Sequence, residues 1–386
     1  MFSADELKKI KTLSTPFYYY DMEVLKNTLQ EIKSAADNFK YVVHYALKAN
    51  TNEPILKMIQ QFGFGADCVS GNEIKRAVEV GFQSEQIAFA GVGKSDEEIL
   101  IGLENNIFCF NCESIQEIEV INDFAEKNRK IASIALRINP NVNAHTHHYI
   151  TTGLEENKFG INIWELDEVL AIIEKSSNIK LTGIHFHIGS QITDMSVFKS
   201  LCLKVNELQQ WFEMRKIKLE HINVGGGLGV DYHEPDKNSM ADFKTYFGIF
   251  NQFLEIRKGQ KIHFELGRAM VAQSGNLISK VLYVKKGIAK NFIILDAGMT
   301  ELIRPALYQS YHKIENISNV NEANQKYDVV GPICESSDCF GKAVSLPETK
   351  RGDFISLRTT GAYGEVMSSG YNLREKASAY YSDKIF

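Results

Sequence analysis

Tyr41-Val42-Val43-His44-Tyr45-Ala46-Leu47-Lys48-Ala49-Asn50 opens the pattern that decides the fold. Its first seven residues are β-branched, aromatic or apolar enough to read as a strand interior. Lys48 falls where that strand ends, ahead of a helical stretch opened by Thr51-Asn52-Glu53-Pro54. An amine in that place stands at the mouth of a core, and desolvation lowers an amine's pKa and lets it attack a carbonyl. The plainer use of the position is a stem that covers the strand end while the ammonium reaches water. The remainder of the chain has to decide between them.

Outward from this strand, short apolar runs alternate with amphipathic helical stretches. Strands are expected at 41–47, 64–70, 87–91, 107–111, 133–138, 181–187, 221–225 and 262–266, with helical patterns such as Ile55–Phe62, Glu73–Val80, Glu97–Glu104 and Ile115–Glu126 between them. Two of these begin with capping boxes, Ser95-Asp96-Glu97-Glu98 and Ser114-Ile115-Gln116-Glu117, which mark helix N-termini. Evenly spaced strands separated by helices predict an α/β fold of the (β/α)8 TIM-like barrel type, with a doubly wound open sheet as the rival. After Arg268 the rhythm changes to strands with short connections, at Val281–Val284, Asn291–Leu295, Tyr327–Val330 and Phe354–Arg358. The expectation is therefore a barrel over 25–268 and a mainly β C-terminal domain over 269–386. Residues 1–24 join the latter through a strand at Phe17-Tyr18-Tyr19-Tyr20.

Composition narrows the class. A chain of 386 residues with 44% hydrophobic and 24% charged residues is an ordinary globular enzyme by content. A net charge of −5 offers no basic footprint for nucleic acid. No apolar stretch approaches membrane-spanning length, and Met1-Phe2-Ser3-Ala4-Asp5-Glu6 lacks the pattern of a secretory signal, so a cytoplasmic protein is expected. Six cysteines in a chain this size suggest no disulfide framework. Cys109-Phe110-Asn111-Cys112 has metal-like spacing without a second pair and reads as two packed thiols.

In a barrel of this kind chemistry gathers at the C-terminal strand ends. Those positions hold Lys48, then Asp67 ahead of Ser70, then His185-Phe186-His187-Ile188-Gly189-Ser190-Gln191, then Gly225-Gly226-Gly227-Leu228-Gly229, then Glu265-Leu266-Gly267-Arg268. A glycine run can bring backbone N–H groups close to a phosphate, and the end of the seventh barrel strand is where such sites recur. Arg268 adds a fork of donors. His185 and His187 share a strand face, but no third ligand appears at a telling spacing, so no metal is expected. His187 better suits packing against a planar cofactor. Glu265, on a buried strand end, needs a charged or protonated partner. The pyridine nitrogen of pyridoxal phosphate is such a partner.

The chain resembles the fold-type III pyridoxal-phosphate decarboxylases, most closely the diaminopimelate decarboxylases. The resemblance rests on Tyr45–Asn50, His187–Gln191, Gly225–Gly229, Asp296-Ala297-Gly298-Met299, Arg304-Pro305-Ala306-Leu307-Tyr308, Gly331-Pro332-Ile333-Cys334-Glu335-Ser336 and Gly361-Ala362-Tyr363-Gly364, in matching order. It implies that Lys48 anchors pyridoxal 5'-phosphate, His187 stacks on its ring and Glu265 pairs with its nitrogen. Asp67 also belongs to the implied cofactor site. Ser190, Gly225, Gly226, Gly227, Gly267, Arg268 and Tyr363 would surround the phosphate. Arg268, Arg304 and Tyr308 would bind substrate carboxylate and Glu335 the distal ammonium, Tyr363 would also contact the substrate, and Cys334 would be the proton donor. In this family Cys334 and Glu335 come from the partner subunit, so a homodimer with shared active sites is implied. The implied reaction converts meso-2,6-diaminopimelate to L-lysine and carbon dioxide.

Decarboxylases of carboxynorspermidine, ornithine or arginine share the cofactor residues, but Arg304 and Tyr308 suit a second carboxylate better. A non-catalytic pyridoxal-phosphate carrier would be a lone barrel, without residues 269–386. A racemase would face the ring nitrogen with arginine rather than Glu265. One departure from the family is Leu266, where proline is usual.

Overall fold

The computed structural model describes residues 2–141 and 158–385. They divide into a β-rich unit (Met1–Thr28, Val230–Ala241 and Arg268–Phe386) and a barrel unit (Leu29–Gly229 and Asp242–Gly267). The sequence expectation drew simpler lines, 25–268 against 1–24 with 269–386. The segment 230–241, inside the barrel's sequence, groups instead with the β-rich unit. There Asp236 Oδ1 accepts from Arg358 Nη2 at 2.9 Å, and His233 stacks on Tyr311 with centroids 4.2 Å apart.

Strand β1 (Phe17–Tyr20) belongs to the β-rich unit and is described with it. The barrel closes through eight parallel strands: β2 (Val42–Ala46), β3 (Gly65–Cys68), β4 (Ile87–Phe89), β5 (Cys109–Cys112), β6 (Ala132–Arg137), β7 (Ile179–His185), β8 (His221–Asn223) and β9 (Lys261–Leu266). Among the described residues a helix follows each of the first seven. Their starts are set chemically. Ser70, Ser95 and Ser114 each accept the N–H three residues on, which satisfies one of the unpaired donors of a first turn. The box at Ser95 is complete, with Glu98 reaching back. At Ser114 the cap forms, but the Glu117 carboxylate accepts from Glu113 N at 2.7 Å and pairs with Lys94. The second expected capping box is thus only half made, because a buried lysine competes for its acid.

Inside the barrel the alternation of the strands turns imidazoles inward. His44 Nδ1 lies 3.0 Å from the Gln86 carbonyl, which can only accept, so that nitrogen carries the proton. His44 Nε2 then accepts from His263 Nδ1 at 2.8 Å. Phe108 stacks on His263 with centroids 4.8 Å apart and packs against His221 at 4.9 Å. Gly65 and Gly183 make the room, since a Cβ at either would strike the ring of His44 or His221. Cys109 and Cys112 are buried free thiols on β5, and burial pushes Cys109 up to about 12.

The β-rich unit is built on one eight-stranded sheet. Its path runs β12 (Ile314–Asn316), β15 (Phe354–Leu357), β10 (Gly275–Lys286), β11 (Asn291–Leu295), β13 (Gln325–Val330) and β14 (Cys339–Leu346). β1 pairs antiparallel with β10 and parallel with β16 (Ser378–Tyr381). All four residues of β1 are buried, so its tyrosine hydroxyls need partners. Tyr18 donates to the Glu301 carbonyl at 2.6 Å, Tyr19 to Glu6 at 2.9 Å and Tyr20 to Glu365 at 2.7 Å.

Burial pulls all three barrel imidazoles down, His221 to about 4, with His44 and His263 also lowered. Free imidazole titrates near 6.5. Between those values the unfolded chain binds protons that the folded barrel excludes, so these groups make stability fall as pH falls. His221→Asn is expected to flatten the decline in urea-unfolding free energy between pH 6.5 and about 4. An unchanged slope would assign the acid sensitivity to other groups. Packing at the end of β8 gives a second expectation. A Cβ at Gly226 would press into the Glu265 carbonyl oxygen, whereas one at Gly248, in the helix Phe243–Phe253, meets nothing within 4 Å. Gly226→Ala should cost about 1–3 kcal/mol of unfolding free energy, and Gly248→Ala should add roughly 0.5–1 kcal/mol.

Candidate active site

At the C-terminal ends of the barrel strands the polar residues converge on Glu265. This carboxylate is buried on β9 and accepts three hydrogen bonds from three other strands. Asn111 Nδ2 (β5) donates at 3.1 Å and Asn223 Nδ2 (β8) at 2.7 Å, both to Oε1, while His185 Nε2 (β7) lies 2.8 Å from Oε2. Burial alone would raise its pKa, but His185, with Lys48 and His44 beyond it, holds the carboxyl below the usual range. The site therefore carries a fixed, oriented negative charge. Asn111, Asn223 and His185 were not singled out as partners of Glu265 in the sequence. Strand alternation puts each on the inward face, and that was the available signal.

Lys48 lies in the short turn Leu47–Ala49 that ends β2, partly exposed, with Nζ 3.5 Å from Asp67 Oδ2. Asp67 is buried on β3, and neither of its oxygens has a hydrogen bond among the described residues. Burial and the charge of Glu265 push it up to about 8, against the pull of Lys48. Two carboxylates in one barrel thus have opposite tendencies, one held ionised and one inclined to keep a proton. His187, just beyond β7, is half-buried, and burial followed by the charges of Lys48 and Arg137 keeps its ring neutral. Nearby Arg137 pairs with Glu113 at 2.6 Å, a buried ion pair that the sequence reading missed.

The glycine loop leaves β8 with its close approaches already fixed. A Cβ on Gly225 would strike the Phe186 carbonyl, and Gly227 has φ 103° with the Gly189 carbonyl 2.7 Å from where a Cβ would stand. Gly225 N donates to Asn223 Oδ1 at 2.9 Å and the Gly227 carbonyl accepts from Ile192 N at 2.8 Å. Among the described residues the N–H groups of Gly226 and Gly227 have no protein acceptor. Ser190 lies in the facing loop after β7, and Gly267 is buried at the turn after Leu266. A lysine amine, a neutral ring, a fixed carboxylate and spare backbone donors form a set that fits pyridoxal phosphate: aldehyde, aromatic face, ring nitrogen and phosphate. Among the described residues no cluster of three or more His, Cys, Asp or Glu could hold a metal ion.

The β-rich unit gathers a second group. Tyr232 Oη accepts from Arg268 Nη1 at 2.6 Å and from Arg304 Nη1 at 3.0 Å, and all three residues are buried. The Tyr363 ring lies 4.9 Å from the Arg268 guanidinium, and Tyr308 is half-buried in the helix Arg304–Tyr308. The loop 331–338 exposes Cys334 and Glu335. Glu335 Oε1 accepts from Tyr371 Oη at 2.8 Å and Cys334 N donates to Asn372 Oδ1 at 3.2 Å. Buried Asp338 shapes this loop by accepting from Ile333 N at 2.7 Å and from Met299 N at 2.6 Å.

Residues 23–272 match the family described as "Pyridoxal-dependent decarboxylase, pyridoxal binding domain". Over 380 residues the chain is 58% identical to a diaminopimelate decarboxylase of Bacteroides thetaiotaomicron, covering 98% of each chain. The crystal structure of the Helicobacter pylori diaminopimelate decarboxylase complexed with L-lysine superposes with a TM-score of 0.91 at 41% identity, over 98% of this chain and 94% of that one. The M. jannaschii diaminopimelate decarboxylase in complex with L-lysine gives 0.89 at 32% identity, over 98% and 89%. Likeness of this extent, together with the barrel and its polar interior, makes this chain a member of the diaminopimelate decarboxylase family of pyridoxal-dependent decarboxylases.

Proposed function

We propose that this protein decarboxylates meso-2,6-diaminopimelate to L-lysine, the last step of lysine biosynthesis, with pyridoxal 5'-phosphate as cofactor. Identity of 58% to a relative named for this activity supports the reaction. The observation that carries the substrate is Arg304. It is buried, and its hydrogen-bond partners among the described residues, Tyr232, His312 and Ser310, are all neutral. A buried cation without an anion is costly, and a substrate's second carboxylate supplies one. Ornithine and arginine have no second carboxylate to offer.

The proposed roles follow the resemblance. Lys48 is the covalent anchor, with Asp67 beside its amine. Glu265 keeps a proton on the ring nitrogen, and neutral His187 covers the ring face. Ser190, Gly225, Gly226, Gly227, Gly267, Arg268 and Tyr363 hold the phosphate. When bound, the cofactor supplies an electron sink for the bond that releases carbon dioxide. Arg268, Arg304 and Tyr308 bind substrate carboxylate, Tyr363 also contacts the substrate, Glu335 takes the distal ammonium, and the Cys334 thiol returns a proton to Cα. Cys334 and Glu335 are exposed in the single chain, which suits residues given to the site of a second subunit in a homodimer. No helix among the described residues is long and apolar enough to cross a membrane. All six cysteines are free thiols, which suits a reducing cytoplasm.

Carbon dioxide release by the cofactor-loaded protein should occur with meso-diaminopimelate, yielding lysine, and not with ornithine, arginine or carboxynorspermidine. Turnover of one of those instead would reassign Arg304 and Glu335. Lys48→Ala should lose both this activity and the visible absorbance of the cofactor-linked lysine; a retained spectrum would put the link elsewhere. Mixing Lys48→Ala with Cys334→Ala subunits should restore part of the activity through hybrid dimers. No recovery after verified subunit exchange would refute the shared site.

A further inference from the structure

The surroundings of Arg304 are built to a pattern that the roles above leave unexplained. One nitrogen, Nη1, donates to Tyr232 Oη at 3.0 Å and to His312 Nε2 at 3.1 Å, which occupies both its hydrogens. The tautomer of His312 follows from its other contact. His312 Nδ1 lies 2.9 Å from the Arg358 carbonyl, which can only accept, so Nδ1 carries the proton and Nε2 is a bare acceptor. His312 is fully buried, and burial followed by the Arg304 charge pulls it down to about 3, so the ring stays neutral. The carbonyl that sets it is itself anchored. The Arg358 side chain donates to Asp236 at 2.9 Å, Glu315 at 2.7 Å and Asn276 at 2.8 Å. Tyr232 completes the frame, because its single oxygen accepts from both Arg268 and Arg304. Two like charges are thereby held together by one neutral oxygen, and among the described residues no carboxylate pairs with Arg304 to cancel its charge.

We propose that Tyr232 and His312 are specificity-determining positioning residues: two neutral acceptors fix the Arg304 guanidinium while leaving its charge for a ligand carboxylate. An acidic side chain in either place would orient Arg304 equally well and neutralise it, abolishing the preference for a carboxylate-bearing substrate. This inference rests on the reading that Arg304 binds the second carboxylate of diaminopimelate. L-Lysine keeps that carboxylate after the reaction, and 1,5-diaminopentane is lysine without it, so the pair isolates the contact without requiring turnover.

The test compares cofactor-loaded wild type, Tyr232→Phe, His312→Leu and His312→Gln. It measures kcat and KM for meso-diaminopimelate, and dissociation constants for L-lysine and 1,5-diaminopentane from the visible spectrum. Loss of a hydrogen bond to a charged group predicts that KM and the L-lysine constant rise roughly 10- to 100-fold in Tyr232→Phe and His312→Leu. The 1,5-diaminopentane constant should stay put and kcat should fall less than KM rises. His312→Gln, whose side-chain oxygen can accept from Arg304, should recover part of the loss. Lysine and diaminopentane constants that move in parallel, or do not move, would overturn the proposal. Wild type that fails to turn over meso-diaminopimelate would instead overturn the substrate reading on which it stands.

Discussion

A buried carboxylate at the centre of a barrel is the constraint around which the rest of that unit is arranged. Glu265 draws a donor from each of three other strands, Asn111, Asn223 and His185. Those three side chains point inward only because β5, β7 and β8 hold their register with their neighbours. A slip of one residue in any of them would turn its donor to the opposite face. The charge therefore ties site chemistry to barrel closure: each donor is also a condition on strand pairing. The same register places His44 beside Glu265 across β2 and β9 and commits the layer beneath to imidazoles. A barrel interior of this kind gives up some aliphatic packing for a polar network whose members satisfy one another.

Asp67 shows what happens to a carboxyl without that support. It is as deeply buried as Glu265, but its oxygens have no hydrogen bond among the described residues, and its closest charge partner is Lys48 at 3.5 Å. Its pKa goes up where that of Glu265 goes down. Environment rather than residue type separates the two, as it does where one site needs both an ionised and a protonatable acid. The pairing places a carboxyl inclined to keep its proton next to the amine proposed to carry the cofactor.

Much of this was legible in the sequence, and the reasons differ by residue. Lys48 and Glu265 both end apolar strands, so their places at the barrel mouth were visible without coordinates, although only Glu265 is buried there. The Gly225–Gly227 run marked a close approach of backbones, although packing on the Phe186 and Glu265 carbonyls accounts for part of it as well as any phosphate does. Strand boundaries in the barrel fell within two residues of the expected ones. What stayed hidden depends on contacts far apart in the chain. Strand alternation could turn Asn111 and Asn223 inward, but nothing local names Glu265 as the acceptor they share. Tyr232 lies in a segment that sequence order assigns to the barrel, and only pairings such as Asp236 with Arg358 carry it to the β-rich unit. The Ser114 capping box was half right because Lys94, twenty-three residues from Glu117, competes for the acid.

The two charged groups proposed to face the ligand follow opposite rules, and the difference tracks what each must do. Glu265 is surrounded by donors, which stabilise its charge in advance and keep it anionic. Arg304 is surrounded by acceptors that bear no formal charge, Tyr232, His312 and Ser310. Donors around an anion create a standing partner for a protonated ring nitrogen. Neutral acceptors around a cation leave its field uncancelled, so that an arriving carboxylate finds the strongest attraction the buried setting allows. A carboxylate neighbour would have stabilised the empty protein better and bound the substrate worse. In the proposed reading, selectivity at Arg304 comes from a charge that no carboxylate among the described residues pairs with, and the fixed tautomer of His312 keeps that arrangement in place.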